Sequence, residues 1–294
     1  MSVPNPKIIV IVGETASGKS TLALQLAQQY NGEIICADST TVRREASIGT
    51  AKPTPEEQKL VPHHVLDVIG PDDEFSAAQF KDLTNAAIDD IAERGKLPIV
   101  VGGTGLYING LIYDYGFRKP VAGADSRHKL NAMSHNELLA RIAELGLNTA
   151  GIDTNNDRRL IRFIETGGEQ PARQELREQT LMLGLATDRQ TLDERISARV
   201  DAMLERGLKQ EVQALADAYG WDCEALKAVG YSQWQDHFAG IQTLPETRQA
   251  IIKATRDLAK RQRTWFKRNK SIQWLQTPIN NEVLVDTVDH FLLQ

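Results

Sequence analysis

Apolar and polar positions fall into blocks that change period along the chain. Lys7 to Val12 is an unbroken, mostly β-branched apolar run, which predicts a strand buried on both faces. A glycine-rich loop interrupts it. Ser20 to Tyr30 then carries Leu22, Leu24 and Leu26 among alanines and predicts a helix. Glu33 to Ala37 predicts a second buried strand, ending at Asp38, and Val65 to Val68 a further short one. Ser76 to Arg94 has helical spacing, with Ser76 as N-cap and Gly95 as the stop. Leu97 to Val101 predicts a strand that runs into Gly102-Gly103-Thr104-Gly105, and Thr180 to Ala186 predicts another. Strands alternating with helices predict an α/β fold of the P-loop NTPase-like type, a parallel sheet flanked by helices on both faces.

The texture changes near Arg118. From there to Asn156 the chain is polar, with one clear amphipathic stretch, Asn136 to Leu145. We expect a small, mainly helical inserted subdomain over 118–174, within a catalytic core made of 1–117 and 175–294. Thr191 to Leu204, Lys209 to Ala218 and Pro245 to Lys270 read as helices of a helical C-terminal part.

Length changes little in this picture. A chain of 294 residues can bury about three quarters of its unfolded surface, so it needs no external support for a core. No apolar run approaches the roughly 18 residues of a membrane span. Met1 to Lys7 has no signal-peptide cleavage pattern, and Cys36 and Cys223 lack metal-ligand spacing. The expectation is a cytoplasmic, monomeric protein with both cysteines buried as small hydrophobes. The net charge of −5 disfavours a nucleic-acid coat but leaves room for a local basic surface. His63 and His64 sit side by side on an extended segment, face opposite ways and read as structural.

The candidate chemistry starts at Gly13-Glu14-Thr15-Ala16-Ser17-Gly18-Lys19-Ser20, between a strand and a helix. Such a loop aims backbone N–H groups at a phosphate, and the helix N-terminus adds positive potential. Lys19 supplies a cation and the Ser20 hydroxyl is placed to ligate Mg²⁺. A nucleotide-hydrolysing P-loop protein carries an acid after a second apolar strand to organise Mg²⁺ and water. Here Leu97 to Val101 ends in glycines and Thr104. The acid, Asp38, follows the second strand, Glu33 to Ala37, where it can take a proton from an incoming acceptor or serve as a turn residue. The glycines around Thr104 suggest close approach of a ligand.

The second half adds cations. Arg158 and Arg162 stand four apart, as do Arg195 and Arg199. Between Lys253 and Lys270 there are eight Lys or Arg residues against the single acid Asp257, with Trp265 and Phe266 among them. That texture fits phosphate contacts and base stacking on RNA, and it also fits a solvated helix face.

The strings GETASGKS (13–20), EIICADS (33–39), IGTAKPTPEE (48–57), VPHHVLDV (61–68), GKLPIVVGGTGLY (95–107), NDRRLIRFIE (156–165), VGY (229–231) and ATRDLAKRQRTWFKR (254–268) run in order through nearly the whole chain. In them the chain resembles the bacterial tRNA dimethylallyltransferases. The resemblance implies transfer of a dimethylallyl group from dimethylallyl diphosphate to N6 of adenine 37, beside the anticodon, in tRNAs reading codons that start with U. The adenine is flipped out to be reached. It implies Asp38 as general base, Thr104 at the acceptor, and Gly13 to Ser20 on the diphosphate or a nucleotide, with Mg²⁺ at Ser20. Arg199 would bind diphosphate. Asp38, Ser39, Thr40 and Thr41, Arg158, Arg159, Leu160, Ile161 and Arg162, Thr104 and Arg127 would contact tRNA.

This chain departs from the family pattern at three places. Glu14 stands where Pro is usual. Thr40-Thr41-Val42-Arg43 replaces a common x-Gln-x-Tyr, and Gly230-Tyr231 is followed by Ser232-Gln233. The insert is shortened. A small-molecule P-loop kinase and a non-catalytic tRNA-binding relative remain as alternatives.

Overall fold

The protein was analysed as a computed structural model, which describes residues 5–118, 121, 125–170 and 172–294. The elements run β1 (Ile8–Gly13), α1 (Lys19–Gln29), β2 (Gly32–Cys36), α2 (Pro55–Leu60), β3 (His63–His64), α3 (Ala77–Glu93), β4 (Leu97–Gly102) and α4 (Gly105–Ile112). Next come α5 (Arg127–Asn131), α6 (His135–Glu144), α7 (Asp157–Glu165), β5 (Thr180–Ala186), α8 (Arg189–Glu205), α9 (Leu208–Tyr219) and α10 (Gln235–Phe238). The last are α11 (Leu244–Phe266), β6 (Gln273–Gln276) and α12 (Asn281–Leu293).

All strand pairs are parallel, in the order β3-β2-β4-β1-β5-β6. The β-branched runs read from the sequence are therefore the centre of the sheet. Ile9 and Ile11 pack with Leu22 and Leu26 of α1 and Leu284 and Val288 of α12. Strand alternation turns Ile8, Val10 and Val12 to the other face, and these are fully buried as well. A second core joins Leu192, Ile196 and Val200 of α8 to Val212 of α9 and Ile251 and Ile252 of α11. α3 begins at Ser76, the N-cap its sequence predicted, and the structure adds a capping box with Gln79.

One expectation needs correction. The short edge strand is His63–His64, not Val65 to Val68, because Val65 and Asp67 both take φ 56°, a left-handed backbone that cannot continue a strand. The second strand is buried as expected, including the acid with which it was read to begin. Glu33 receives a two-pronged bond from Arg94 (Nη1 to Oε1 2.5 Å, Nη2 to Oε2 2.8 Å), Lys96 Nζ at 2.7 Å, and His64 Nε2 at 2.7 Å. The Arg94 guanidinium above all holds this carboxyl far below the usual carboxylate range. His64 is thereby structural.

The chain divides into two compact units, Met1–Ile112 with Leu176–Gln294, and Tyr113–Glu175. The second has its own core of Leu130, Leu138, Ile142, Leu160, Ile161, Phe163 and Ile164. Both cysteines are buried thiols. Among the described residues no helix is long and apolar enough to cross a membrane.

Candidate functional site

The loop between β1 and α1 sits at the carboxyl end of the central strand, where open α/β sheets bind ligands. Its path needs left-handed backbone at Ala16 (φ 63°) and Gly18 (φ 98°). Gly18 occupies the N-cap of α1 without a side-chain cap, so the first N–H groups of the helix keep their capacity for an anion. The buried Ser17 hydroxyl has no hydrogen-bond partner among the described residues, as suits a loop that binds an oxyanion. Lys19 Nζ donates to the Glu14 carbonyl at 2.5 Å.

Helix α8 brings Arg199 to this loop, with Nη1 3.4 Å from Thr15 Oγ1, while Arg195 Nη1 donates to the Ser17 carbonyl at 3.3 Å. Arg199 is half-buried and has no carboxylate partner among the described residues. Burial pushes its guanidinium down. Burial first, and the Arg199 charge second, push the Lys19 ammonium down to about 8, against the opposing pull of Asp38 and Glu14. Two desolvated cations that repel each other are an arrangement stabilised by a polyanion between them.

That arrangement sets a pH dependence. An anionic phosphate favours charged Lys19, so its affinity is full below pH 8 and falls as pH rises through that value, by up to about tenfold per pH unit. The folding sign is opposite. A lysine lowered from 10.5 to about 8 costs stability below pH 8, and this cost is relieved as pH climbs towards 10.5. Calorimetric titration with inorganic diphosphate between pH 7 and 9.5 should show weakening above pH 8 without loss of thermal stability. A flat affinity would contradict the Lys19 assignment.

Asp38 follows β2 on the same side of the sheet. Its Oδ1 accepts from Thr40 N (2.9 Å) and Thr40 Oγ1 (2.7 Å), so part of the carboxylate does serve the turn. Its Oδ2 has no hydrogen-bond partner among the described residues. Thr104 Oγ1 accepts from Ser39 N at 2.9 Å and lies 3.4 Å from Ser39 Oγ. The ends of β2 and β4 are thus joined beside the phosphate loop, placing Asp38, Ser39 and Thr104 together. Thr41 is buried, with Oγ1 donating to the Asp38 carbonyl at 3.4 Å.

The glycines next to Thr104 serve a purpose other than ligand approach. A Cβ on Gly102 would lie 2.0 Å from the Ala37 carbonyl oxygen, one on Gly103 2.2 Å from Gln262 Nε2, and one on Gly105 2.3 Å from the Trp265 ring. They admit protein atoms. Phe266 lies in the core and the Trp265 ring packs on Gly105, so the two aromatics of the basic run are not a base-stacking pair. Lys260, Arg261, Lys267 and Arg268 of that run are exposed.

Gln262 was not singled out in the sequence. It is buried, takes the Thr15 N–H on Oε1 at 2.7 Å and donates Nε2 to the Gly103 carbonyl at 3.2 Å. It ties the phosphate loop to the Thr104 turn. Glu211 is another such residue. Its carboxylate accepts from Ser47 N (2.9 Å), Ile48 N (2.8 Å), Gly49 N (3.0 Å) and the Tyr231 hydroxyl (2.6 Å), fixing the IGT stretch. Arg43, a departure from the family pattern, donates to the carbonyls of Pro71 (2.9 Å) and Asp73 (2.6 Å), so it braces a loop.

In the second unit α7 divides the predicted contact segment. Arg158 and Arg159 are exposed, whereas Leu160 and Ile161 are core residues, so these two cannot offer side chains to RNA. Arg162 does not cluster freely with Arg158. It pairs with Glu165 at 3.2 Å and donates to the Arg118 carbonyl. Arg127 makes a two-pronged pair with the same buried Glu165, at 2.8 and 2.6 Å.

Fold and site together define a P-loop α/β protein in which the acid after β2, one strand beyond β4 from β1, acts electrostatically on the lysine of the phosphate loop. The family model "IPP transferase" matches residues 41–269. The tRNA dimethylallyltransferase of Anoxybacillus flavithermus is 40% identical over 278 residues, covering 91% of this chain and 89% of that protein. The Bacillus subtilis enzyme of the same name is 39% identical over 293 residues, covering 94% and 93%. The crystal structure of the full-length tRNA isopentenylpyrophosphate transferase of Bacillus halodurans superposes with a TM-score of 0.75 at 37% identity, covering 98% of this chain and 95% of that one. A eukaryotic dimethylallyltransferase captured acting on tRNA gives 0.76 at 29% identity, over 92% of this chain and 73% of that one. The chain belongs to the tRNA dimethylallyltransferase (IPP transferase) family.

Proposed function

We infer that this protein transfers the dimethylallyl group of dimethylallyl diphosphate to N6 of adenine 37 in tRNAs reading U-starting codons, releasing diphosphate. The observation that carries this reading is the pairing of Lys19 and Arg199 at one side of the site with the open Oδ2 of Asp38 at the other. The cations and the α1 N-terminus hold the diphosphate and stabilise the charge it gains as it leaves. Asp38 accepts the N6 proton as the new C–N bond forms, and Thr104 with Ser39 frames the acceptor. The second unit, with Arg158 and Arg159 exposed, and the exposed Lys260 and Arg261 of α11 supply tRNA contacts; Arg127 and Arg162 position the surface of the second unit through Glu165.

Mg²⁺ fits the donor set. The Ser20 hydroxyl, at the first turn of α1, has no partner, and no group of three or more acidic, His or Cys ligands exists among the described residues. One hydroxyl plus water and substrate phosphates is the way Mg²⁺ is commonly held. When bound it would neutralise diphosphate charge. We expect a cytoplasmic monomer.

The test is incubation with Mg²⁺, dimethylallyl diphosphate and unmodified tRNA, followed by mass analysis of the digested nucleosides. Prenylated adenosine is expected. Its absence with every U-reading tRNA would overturn the reading, and tRNA binding without product would favour the non-catalytic relative.

A further inference from the structure

Glu14 is an acid inside a loop built for anions. Its side chain is 5% exposed, so it is not displaced into solvent. Arg263 of α11 pairs with it: Nη2 donates to Oε2 at 2.9 Å, and Nε lies 2.5 Å from Oε1 at an angle that makes no hydrogen bond, so Oε1 is buried with an ion-pair contact alone. Position 14 is the one where the family pattern has Pro, and position 263 is the open x of its AKRQ-x-TW string. The departure at 14 and the unconstrained position 263 meet in space, although 249 residues apart in sequence.

A carboxylate at this place opposes diphosphate by simple repulsion, and burial strengthens the effect. A guanidinium at ion-pair distance offsets the charge, and its Nη2 bond to Oε2 holds one side of the carboxylate. Gln262, the preceding residue, holds the neighbouring Thr15 N–H at 2.7 Å, so adjacent residues of one helix grip adjacent residues of the loop. The Glu14 backbone carbonyl in turn takes the Lys19 ammonium at 2.5 Å. Anything that moves Glu14 moves that anchor.

We propose that Arg263 is a positioning residue of the donor site, whose guanidinium neutralises Glu14 and holds it away from the phosphate concavity so that the loop accepts diphosphate. The proposal rests on the donor reading of the loop given above. It names a dependence peculiar to a loop that carries Glu at position 14: the cation matters only while the acid is there.

A double-mutant cycle tests it, with inorganic diphosphate binding read by calorimetry so that no turnover is needed. Arg263→Gln should weaken diphosphate binding at least tenfold while leaving the affinity for an anticodon stem-loop within threefold. Glu14→Gln should bind as tightly as the parent or more tightly. Glu14→Gln/Arg263→Gln should return to within threefold of the parent, a rescue that a general loss of packing would not give. If Arg263→Gln does not fold, the double variant is compared with Glu14→Gln, and the two should agree within threefold. A double variant at least tenfold weaker than Glu14→Gln would mean that Arg263 touches diphosphate directly and would overturn the proposal, as would unchanged binding in Arg263→Gln. A parent that binds no inorganic diphosphate would overturn the donor reading itself; a binding parent with a flat cycle overturns the neutralisation alone.

Discussion

Replacing Asp38 by Asn should lower kcat by roughly 10²- to 10⁴-fold, the usual contribution of a positioned base. Asn keeps an Oδ1 that can accept from Thr40 N and Thr40 Oγ1, so the turn after β2 survives. The substitution removes basicity and little else. Melting temperature should therefore stay close to the parent's. Asp38→Ala also loses the turn bonds, which costs about 1 kcal/mol of stability for a typical hydrogen bond. The comparison separates the two jobs of the residue: steady-state kinetics should report both variants as equally inactive, and thermal unfolding should report only Ala as weakened. An Asn variant retaining kcat within tenfold of the parent would show that Oδ2 takes no proton.

The second large effect concerns Arg199. Removing one preorganised donor from a site of developing charge costs roughly 10²- to 10³-fold in kcat. Arg199→Gln should fall in that range. Unlike most half-buried arginines, this one has no carboxylate partner among the described residues, so its removal leaves no orphaned acid. It also relieves repulsion on Lys19, whose ammonium it helps to push down. Stability should then be unchanged or higher, and the alkaline loss of diphosphate affinity should begin at higher pH than in the parent. A variant that loses activity together with stability would mark Arg199 as a packing residue. Function and folding pull in opposite directions at this position, as expected where cations are gathered to bind an anion.

The parts of this protein that were legible in its sequence are those with local causes. Lys7 to Val12 reads as a central strand because a run apolar on both faces fits only a covered parallel sheet. Ser76 and Gln79 announce the start of α3 because capping is a contact three residues long. The phosphate loop is legible for the same reason. Where a side chain acts across the fold, the sequence is silent. Gln262 reads as one polar residue in a basic run, and only the placement of α11 against the loops after β1 and β4 makes it the bridge between Thr15 and Gly103. Glu14 looks like a defect until Arg263 is seen against it. Leu160 and Ile161 share a motif with three arginines, yet the helical period turns them into the core of the second unit. Val65 and Asp67 fail as a strand because backbone strain at a turn leaves no reliable mark on composition.

The central claim is that the loop holds the diphosphate that leaves while the carbon chain goes to RNA. Its most direct measurement maps the modification within the RNA. An anticodon stem-loop carrying adenine at position 37 is incubated with the protein, Mg²⁺ and dimethylallyl diphosphate, then cleaved and sequenced by fragment mass. The account predicts one dimethylallyl group, on adenine 37 alone, with one diphosphate released for each group transferred. Diphosphate release without RNA modification, or phosphate transfer from ATP to a small acceptor in its place, would contradict it.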